Sequence, residues 1–201
     1  MNIRLGPVSA AALALMLAAP AFAQQTTRPA PAMTPNSSAT SIAPSQQQVD
    51  RADLDFMKNA AEGGMAEVEF GKLAQQNAQD AQVKQFGARM EQDHSNANTQ
   101  LQAVAGKKGV QLPKQVDAKD QKELDRLSGL KGTAFDRAYM RMMVQDHDKD
   151  VKEFQHQAQA ARDPDVKNFA RQTLSVIQQH DQMTHDVSRS LTASGSSRPR
   201  Q

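Results

Sequence analysis

Three of the five histidines occupy inward-facing positions on three different predicted helices. His94, His147 and His180 stand where apolar or small residues recur at spacings of three and four, a pattern that defines the buried face of a helix. On the first of these faces, His94 lies between Met90 and Ala97. Imidazoles that point inward from several helices either complete a buried hydrogen-bond network or hold a metal ion. The sequence narrows the chemistry to these two alternatives.

A carboxylate on the first predicted helix joins this set. Glu67 lies on a face of small and aromatic residues, namely Phe56, Ala60, Gly63, Gly64, Phe70, Gly71 and Ala74. Burying a carboxylate on such a face is costly unless a partner accompanies it. One carboxylate and three imidazoles form a ligand set suited to Zn, Cu, Fe or Mn. The predicted metal ligands are therefore Glu67, His94, His147 and His180, with Zn, Cu or Fe as the expected ion.

Methionines accompany these histidines at helical spacing. Met90, Met143 and Met183 each stand three or four residues from one of them, on the same predicted face. A thioether together with an imidazole is a ligand set that Cu(I) prefers. Methionine is also a common filler of hydrophobic cores, and this is the interpretation that we favour.

No group of catalytic residues accompanies the histidines. A di-iron centre needs four carboxylates and two Glu-x-x-His motifs, whereas only Glu91 and His94 have that spacing and Ile177 stands where a second Glu would be. The chain has no cysteine, which excludes disulfides and thiolate ligands. Its formal net charge of +2 at pH 7 argues against a nucleic-acid partner. We therefore expect a binding or structural protein rather than an enzyme.

The chain divides into four segments by composition. Residues 1–23 have the pattern of a secretory signal peptide, with Arg4, a short apolar run and Ala21-Phe22-Ala23 before the expected cleavage. The apolar run is too short for a membrane span, so we expect a periplasmic or secreted protein. Residues 24–48 are rich in Pro, Ser, Thr and Gln and are predicted to be a disordered linker. Residues 49–191 form the predicted domain, and residues 192–201 a disordered tail.

The domain is predicted to be all-α, because good helix formers dominate it. Two tight turns flank one long connection, the layout of a ferritin-like four-helix bundle with one long crossover containing a short helix. Thr133 is the expected N-cap of the helix after the crossover. The predicted helices span residues 50–77, 80–107, 117–130, 133–162 and 165–191.

Distances along the helices suggest that the four candidate ligands share a level. We expect both tight turns at the same end of the bundle. Counting from that end at the helical rise places His147 and His180 at about 25 Å, His94 at about 22 Å and Glu67 at about 18 Å.

A short internal sequence repeat, the Val-Lys-x-Phe echo, is present at the start of the second and fourth long helices, as Val83-Lys-Gln-Phe86 and Val166-Lys-Asn-Phe169. A pseudo-repeat of two helical hairpins would explain it.

Several segments resemble a bacterial exported, ferritin-like family catalogued as domain of unknown function 4142. They are residues 56–74, Arg89 to His94, Phe135 to Met140, Asp146-His147 and His180. The resemblance implies a helical bundle in the periplasm and carries no established activity. The Met-x-x-x-His segments are also similar to a related exported helical family with copper-binding members, although this chain lacks that family's adjacent paired histidines.

Two functions from different classes follow from these patterns. The first is a metal-binding bundle that acts in metal or oxidative stress handling. The second is a non-enzymatic structural or interaction module, in which the Glu–His cluster is a buried network without metal. A redox enzyme is a third and less favoured interpretation. No protein partner is predicted.

Overall fold

The computed structural model describes residues 49–196, and the side chains up to residue 194. The predicted signal peptide, the linker up to residue 48 and the end of the predicted tail lie outside the described residues. The described chain forms five helices: α1 Arg51–Asn77, α2 Ala81–Lys107, α3 Ala118–Ser128, α4 Gly132–Ala160 and α5 Pro164–Ser196. Helix α5 thus extends beyond the predicted end at residue 191. No helix among these residues is long and apolar enough to cross a membrane.

Aspartate side chains define where most of the helices begin. Asp50, Asp80 and Asp117 precede α1, α2 and α3, and each accepts a hydrogen bond from a backbone N–H of the first turn. Asp163 does the same for α5, with Oδ1 lying 2.9 Å from the backbone nitrogen of Asp165. A carboxylate at this position satisfies free N–H groups and complements the helix dipole.

The predicted N-cap at Thr133 is wrong. Helix α4 begins at Gly132, and the residue before it, Lys131, makes no side-chain cap. Gly132 has a φ of 59°, a conformation that residues with a Cβ rarely adopt, and this sharp bend starts the helix before Thr133 is reached. The Thr133 hydroxyl instead donates to Oε1 of Gln79, 3.4 Å away in the α1–α2 turn.

The two tight turns lie at opposite ends of the bundle, so the expectation that they share an end is wrong. Asp53, in the first turn of α1, accepts hydrogen bonds from the backbone N–H groups of Arg162 and Asp163 in the α4–α5 turn. Asp136, near the start of α4, accepts from the backbone N–H groups of Gln79 and Asp80 in the α1–α2 turn. Each hairpin therefore begins beside the turn of the other hairpin, and α1 and α4 are antiparallel.

This arrangement explains the long connection. Helix α2 ends beside the α4–α5 turn, where Lys108 pairs with Asp163 at 2.7 Å, whereas α4 begins at the far end. Residues 108–131 must therefore return along the bundle, and α3 packs against α1 and α4 on the way. The predicted all-α bundle with one long crossover containing a short helix is confirmed. The candidate ligands lie near the middle of the bundle axis, so counting residues from either end of the bundle places them at similar heights.

The core consists of two apolar clusters on either side of a polar layer. The first includes Phe70, Phe86, Met90, Phe135, Tyr139, Met140 and Met143. The second includes Phe56, Met57, Leu101, Phe154, Phe169 and Ile177. Along α2, α4 and α5, each candidate histidine falls between members of the two clusters. Met90 and Met143 are fully buried within the first cluster, as expected of core methionines.

Helices α1 and α2 approach each other at a pair of glycines. A Cβ at Gly71 would lie 2.5 Å from the carbonyl oxygen of Gly87, and a Cβ at Gly87 would lie 2.8 Å from the carbonyl oxygen of Gly71. No larger residue fits without moving a backbone, so these glycines set the distance between the two helices. This close approach brings Glu67 on α1 within reach of His94 on α2.

Candidate metal centre

The structure brings Glu67 together with the predicted histidines. Glu67 Oε2 lies 2.8 Å from Nδ1 of His94, and Glu67 Oε1 lies 3.7 Å from Nε2 of His147. The ring centroid of His180 is 5.3 Å from that of His94 and 5.6 Å from that of His147. The four residues come from four different helices and meet at one level of the bundle.

Burial isolates this cluster from solvent. Glu67 and His94 are 7% and 6% exposed, and His147 and His180 are fully buried. Phe86 lies against two of the rings, with its centroid 6.2 Å from that of His147 and 6.3 Å from that of His180. The charged form of any of these side chains would lose most of its hydration at this depth, so the neutral form is favoured.

Each of the three imidazoles is anchored through one nitrogen. His94 Nδ1 lies 2.8 Å from Oε2 of Glu67, His147 Nδ1 donates to the Met143 carbonyl oxygen at 2.9 Å, and His180 Nε2 lies 2.9 Å from Oδ2 of Asp93. An acceptor at one nitrogen assigns the proton to that nitrogen and leaves a lone pair on the other. The other nitrogens, namely Nε2 of His94, Nε2 of His147 and Nδ1 of His180, are buried and have no hydrogen-bond partner.

Ring nitrogens of the three histidines converge. One nitrogen of each lies within 4.8 Å of one nitrogen of both others. A point among them can therefore lie within about 2.8 Å of all three, compared with roughly 2.0–2.1 Å for a zinc–imidazole bond. Small side-chain rotations would bring three nitrogens to bonding distance of one ion.

The electrostatics of the cluster favour the neutral form of each side chain. Burial lowers the pKa of His94 and of His180 from 6.5 to about 4, and it also lowers the pKa of His147. Burial raises the pKa of Glu67 from 4.5 to about 7, against the opposing effect of His147. All three imidazoles are therefore neutral near pH 7 and can act as ligands, while Glu67 is poised to release its proton.

Asp93 is a residue of this site that the sequence analysis missed. Its Oδ2 accepts from His180 and also from Nε of Arg89, one turn earlier on α2. Partial burial raises the pKa of Asp93, but the bonds from Arg89 and His180 outweigh it, and the pKa lies below its usual value. Asp93 is off the apolar stripe of α2. A carboxylate beside His94 with an arginine four residues earlier is the signal that could have identified it.

The remaining histidines and neighbouring acids lie outside the cluster. Glu69 is exposed and pairs with Lys72 at 2.7 Å, and Glu91 accepts from Gln75 at 2.7 Å. His156 is exposed, because it lies off the apolar face of α4. His185 is only half-buried, with 41% of its side chain exposed, and its Nε2 lies 3.5 Å from Asp148 and 3.7 Å from Asp181.

Two clefts reach the cluster from the surface. The acidic cleft, of about 60 Å³, is lined by residues that include Gly63, Gly64, Glu67, His94, Asp150 and Glu153. The amide cleft, of about 220 Å³, reaches His94 between α2 and α5 and is lined by residues that include Asp93, Asn96, Gln100 and Gln172. Burial, together with the charges of Glu67, Asp146 and Glu153, raises the pKa of Asp150 to about 8.

Fold and site together define an all-helical bundle with a buried carboxylate–histidine cluster. The sequence profile of the family described as Domain of unknown function (DUF4142) matches residues 38–187. The chain belongs to this family, and the predicted resemblance is confirmed. No match was found among curated proteins.

Two solved structures share the fold. One is a DUF305 fragment from Deinococcus radiodurans, with a TM-score of 0.61 and 16% identity over 70% of this chain and 97% of that one. The other is a DUF305 protein from Streptomyces coelicolor that is described as secreted, with a TM-score of 0.59 and 16% identity over 70% and 94%. At this identity the likeness concerns the fold alone.

Proposed function

We propose that this chain is an exported, ferritin-like protein that binds one transition-metal ion. His94, His147 and His180 supply three nitrogens, and Oε1 of Glu67 is the fourth ligand. The observation that carries this proposal is the pairing within each ring, where one nitrogen is anchored to an oxygen acceptor and the other is buried without a partner. Metal-binding histidines have this arrangement, because the outer acceptor fixes the tautomer and orientation of the ring.

The energetic argument concerns the unpartnered atoms. A buried polar atom without a hydrogen bond costs about 1–3 kcal/mol, and the cluster contains three such nitrogens and Oε1 of Glu67. A single cation held by the three histidines would provide partners for their nitrogens, and Oε1 of Glu67 would move towards it, because Glu67 is not among the residues whose ligand atoms lie within 4.8 Å of one another. The cation would also favour the ionised form of Glu67, whose ionisation is opposed by burial.

The donor set limits the choice of ion. Three neutral imidazoles and one carboxylate, with no thiolate in the chain, suit Zn²⁺, Cu²⁺ or Fe²⁺. A buried, closed set of ligands favours holding an ion over reacting with a substrate. We therefore assign the protein to metal handling, including the oxidative stress that free redox metals cause, rather than to catalysis.

Export and the ferritin-like relation rest on separate support. The order of connections, with one crossover along the bundle, is that of ferritin-like proteins. The predicted signal peptide and the likeness to a DUF305 protein described as secreted support export. The proposed compartment is the periplasm or the medium, and the proposed partner is the metal ion.

The test is a thermal unfolding series on protein purified without a His tag, with Zn²⁺, Cu²⁺ and Cu(I) added in turn at pH 7.5. A ligand at a hundred times its Kd adds about 2.7 kcal/mol to the folded state, which raises the midpoint of a domain of this size by several degrees. We expect such a rise in the wild type, its loss in His147→Ala, and its retention in His156→Ala. The last variant removes an exposed histidine by the same substitution.

A structural module is the alternative, favoured by the 2.8 Å contact between Glu67 and His94 and by the hydrogen bond from His180 to Asp93, which form without any ion. In that case His147→Ala would still lower the midpoint, because a fully buried side chain is removed. Loss of stability alone thus does not separate the two functions. If no metal shifts the wild-type midpoint, the cluster is a hydrogen-bond network and the metal proposal is wrong.

A further inference from the structure

The two helical hairpins are related by a shift of 83 residues. Asp53 and Asp136 stand 83 positions apart, and each binds the turn of the other hairpin. Asp80 and Asp163, which cap α2 and α5, have the same separation. The Val-Lys-x-Phe echo follows this shift as well. A pseudo-twofold relation therefore pairs α1 with α4 and α2 with α5.

When the shift of 83 residues is applied to the four residues of the metal centre, their counterparts are residues of the acidic cleft. The shift pairs Glu67 with Asp150, His94 with Ile177, His147 with Gly64 and His180 with Ala97. All four of these counterparts line the cleft. His147 and His180 of the site correspond to Gly64 and Ala97 in the cleft. The open volume of the cleft therefore takes the place of two imidazole side chains. The carboxylate is retained as Asp150.

Carboxylates line this cleft at successive depths. Glu153 is exposed, Asp150 is half-buried and Glu67 is buried. Gly63 lies beside them, and a Cβ placed there would meet no atom within 4 Å. The mouth of the cleft thus carries the exposed Glu153 carboxylate, and its inner end reaches the carboxyl group that touches His94.

The inner end of the cleft carries groups without partners. Oε1 of Glu67 and Nε2 of His94 are buried, make no hydrogen bond, and belong to residues that line the cleft. The Glu67 side chain is 10% exposed and that of His94 is 7% exposed. A cation in the cleft would be in contact with the site through these two side chains.

We propose that the acidic cleft binds a hydrated divalent cation through Asp150, Glu153 and Glu67 and is the entrance through which the ion reaches the three histidines. This inference rests on the proposed metal-binding function. The volume of about 60 Å³ leaves room for an ion with part of its water shell. Carboxylate oxygens replace water ligands readily, and the histidines then replace the oxygens of Asp150 and Glu153, while Glu67 stays bound to the ion.

The amide cleft is a poorer entrance for a cation. Its carboxylate, Asp93, is already bound by His180 and by the positively charged Arg89. Its other polar lining residues include the neutral amides of Asn96, Gln100 and Gln172. A cation entering there would meet little unpaired negative charge, although the cleft is the larger of the two.

The experiment measures metal loading by stopped-flow absorbance with Co²⁺, whose visible spectrum reports coordination by imidazole. We expect Glu153→Gln to slow loading about tenfold at low ionic strength, with the difference shrinking at high salt, because charged clefts raise the rate of ion capture. Asp150→Asn removes a ligand oxygen from the path of the ion and should slow loading at low and at high salt alike. Gly63→Leu fills the cleft without removing a ligand. It should slow loading and release by similar factors and leave the affinity unchanged.

Matched variants separate this inference from the proposed function. Glu62→Gln removes the same charge from α1 outside the cleft, and Asn96→Leu narrows the amide cleft; both should load at the wild-type rate. If the wild type binds Co²⁺ but Gly63→Leu and Asp150→Asn load normally, or Asn96→Leu is the slow variant, the entrance is elsewhere. If the wild type binds neither Co²⁺ nor the other metals, the metal function and the entrance both fail.

Discussion

At the scale of single residues, the outer partners of the histidines matter as much as the histidines. An imidazole alone can rotate and exchange its proton between two nitrogens. Glu67, the Met143 carbonyl and Asp93 each hold one ring in place. These contacts are made within α4 for His147 and between helices for His94 and His180, so the interhelical packing orients two of the three rings.

Loss of the Asp93 carboxylate tests this orientation. Asp93→Ala removes the acceptor at Nε2 of His180 and frees the ring to rotate. We expect the affinity for Zn²⁺ to fall by about 10–100-fold, the usual effect of removing an outer partner of a metal-binding histidine. Isothermal titration at pH 7.5 measures the affinity directly.

A control for that experiment is Glu91→Ala, which removes a carboxylate two positions away on the same helix. Glu91 accepts from Gln75 and touches none of the histidines, so its loss should leave zinc affinity unchanged. Equal losses of affinity in the two variants would show that Asp93 acts through the stability of α2 and not through His180.

At the scale of helices, two buried aspartates determine how the hairpins join. Asp53 and Asp136 are 1% and 2% exposed, and each accepts two backbone N–H groups from the opposite turn. A charged acceptor makes stronger hydrogen bonds than a neutral one. These contacts fix the relative height of the hairpins and hence the level at which Glu67 meets the histidines.

Replacement of Asp136 by alanine should destabilise the fold more than replacement of Asp80. Asp136→Ala leaves two backbone N–H groups of the other hairpin without an acceptor, and we expect a loss of roughly 2–3 kcal/mol in the free energy of unfolding. Asp80→Ala removes two bonds within its own helix, and the loss of such an N-cap costs about 1 kcal/mol. Urea unfolding of the two variants gives the comparison, and equal losses would contradict a role for Asp136 in joining the hairpins.

At the scale of the whole molecule, a titratable layer divides the apolar core. In the metal-free protein this layer makes stability depend on pH in two opposing ways. The pKa of His94 and His180 falls to about 4 on folding, so between pH 6.5 and 4 the unfolded chain binds protons that the folded chain does not bind. Their contribution to stability is complete above pH 6.5 and is lost as the pH falls towards 4.

Glu67 has the opposite effect. Its pKa rises from 4.5 to about 7 on folding, so the folded chain holds a proton that the unfolded chain releases, and stability grows as the pH falls from 7 to 4.5. Glu67→Gln removes this gain. We expect its midpoint, measured by thermal unfolding with chelator present, to fall more steeply between pH 6.5 and 4.5 than that of the wild type. Parallel curves would show that Glu67 is ionised throughout this range.

Much of the fold follows from the sequence because helix signals are local. Apolar spacing and helix-forming composition define the helices to within a few residues, and one long connection between two short ones defines the order of the bundle. Gly132 shows the limit of such signals, because its positive φ lets α4 begin before the expected cap at Thr133.

The members of the cluster were also predictable, since polar residues on apolar faces are conspicuous in a sequence. Their roles were not. Distances along a helix give height but not direction, so the placement of the turns at opposite ends required the contacts of Asp53 and Asp136. Only the tertiary structure placed α2 beside α5 and brought Asp93 to His180, and it showed that the counterpart of the histidine site is a cleft. Contacts between helices depend on packing across the whole bundle, and a one-dimensional pattern does not encode them.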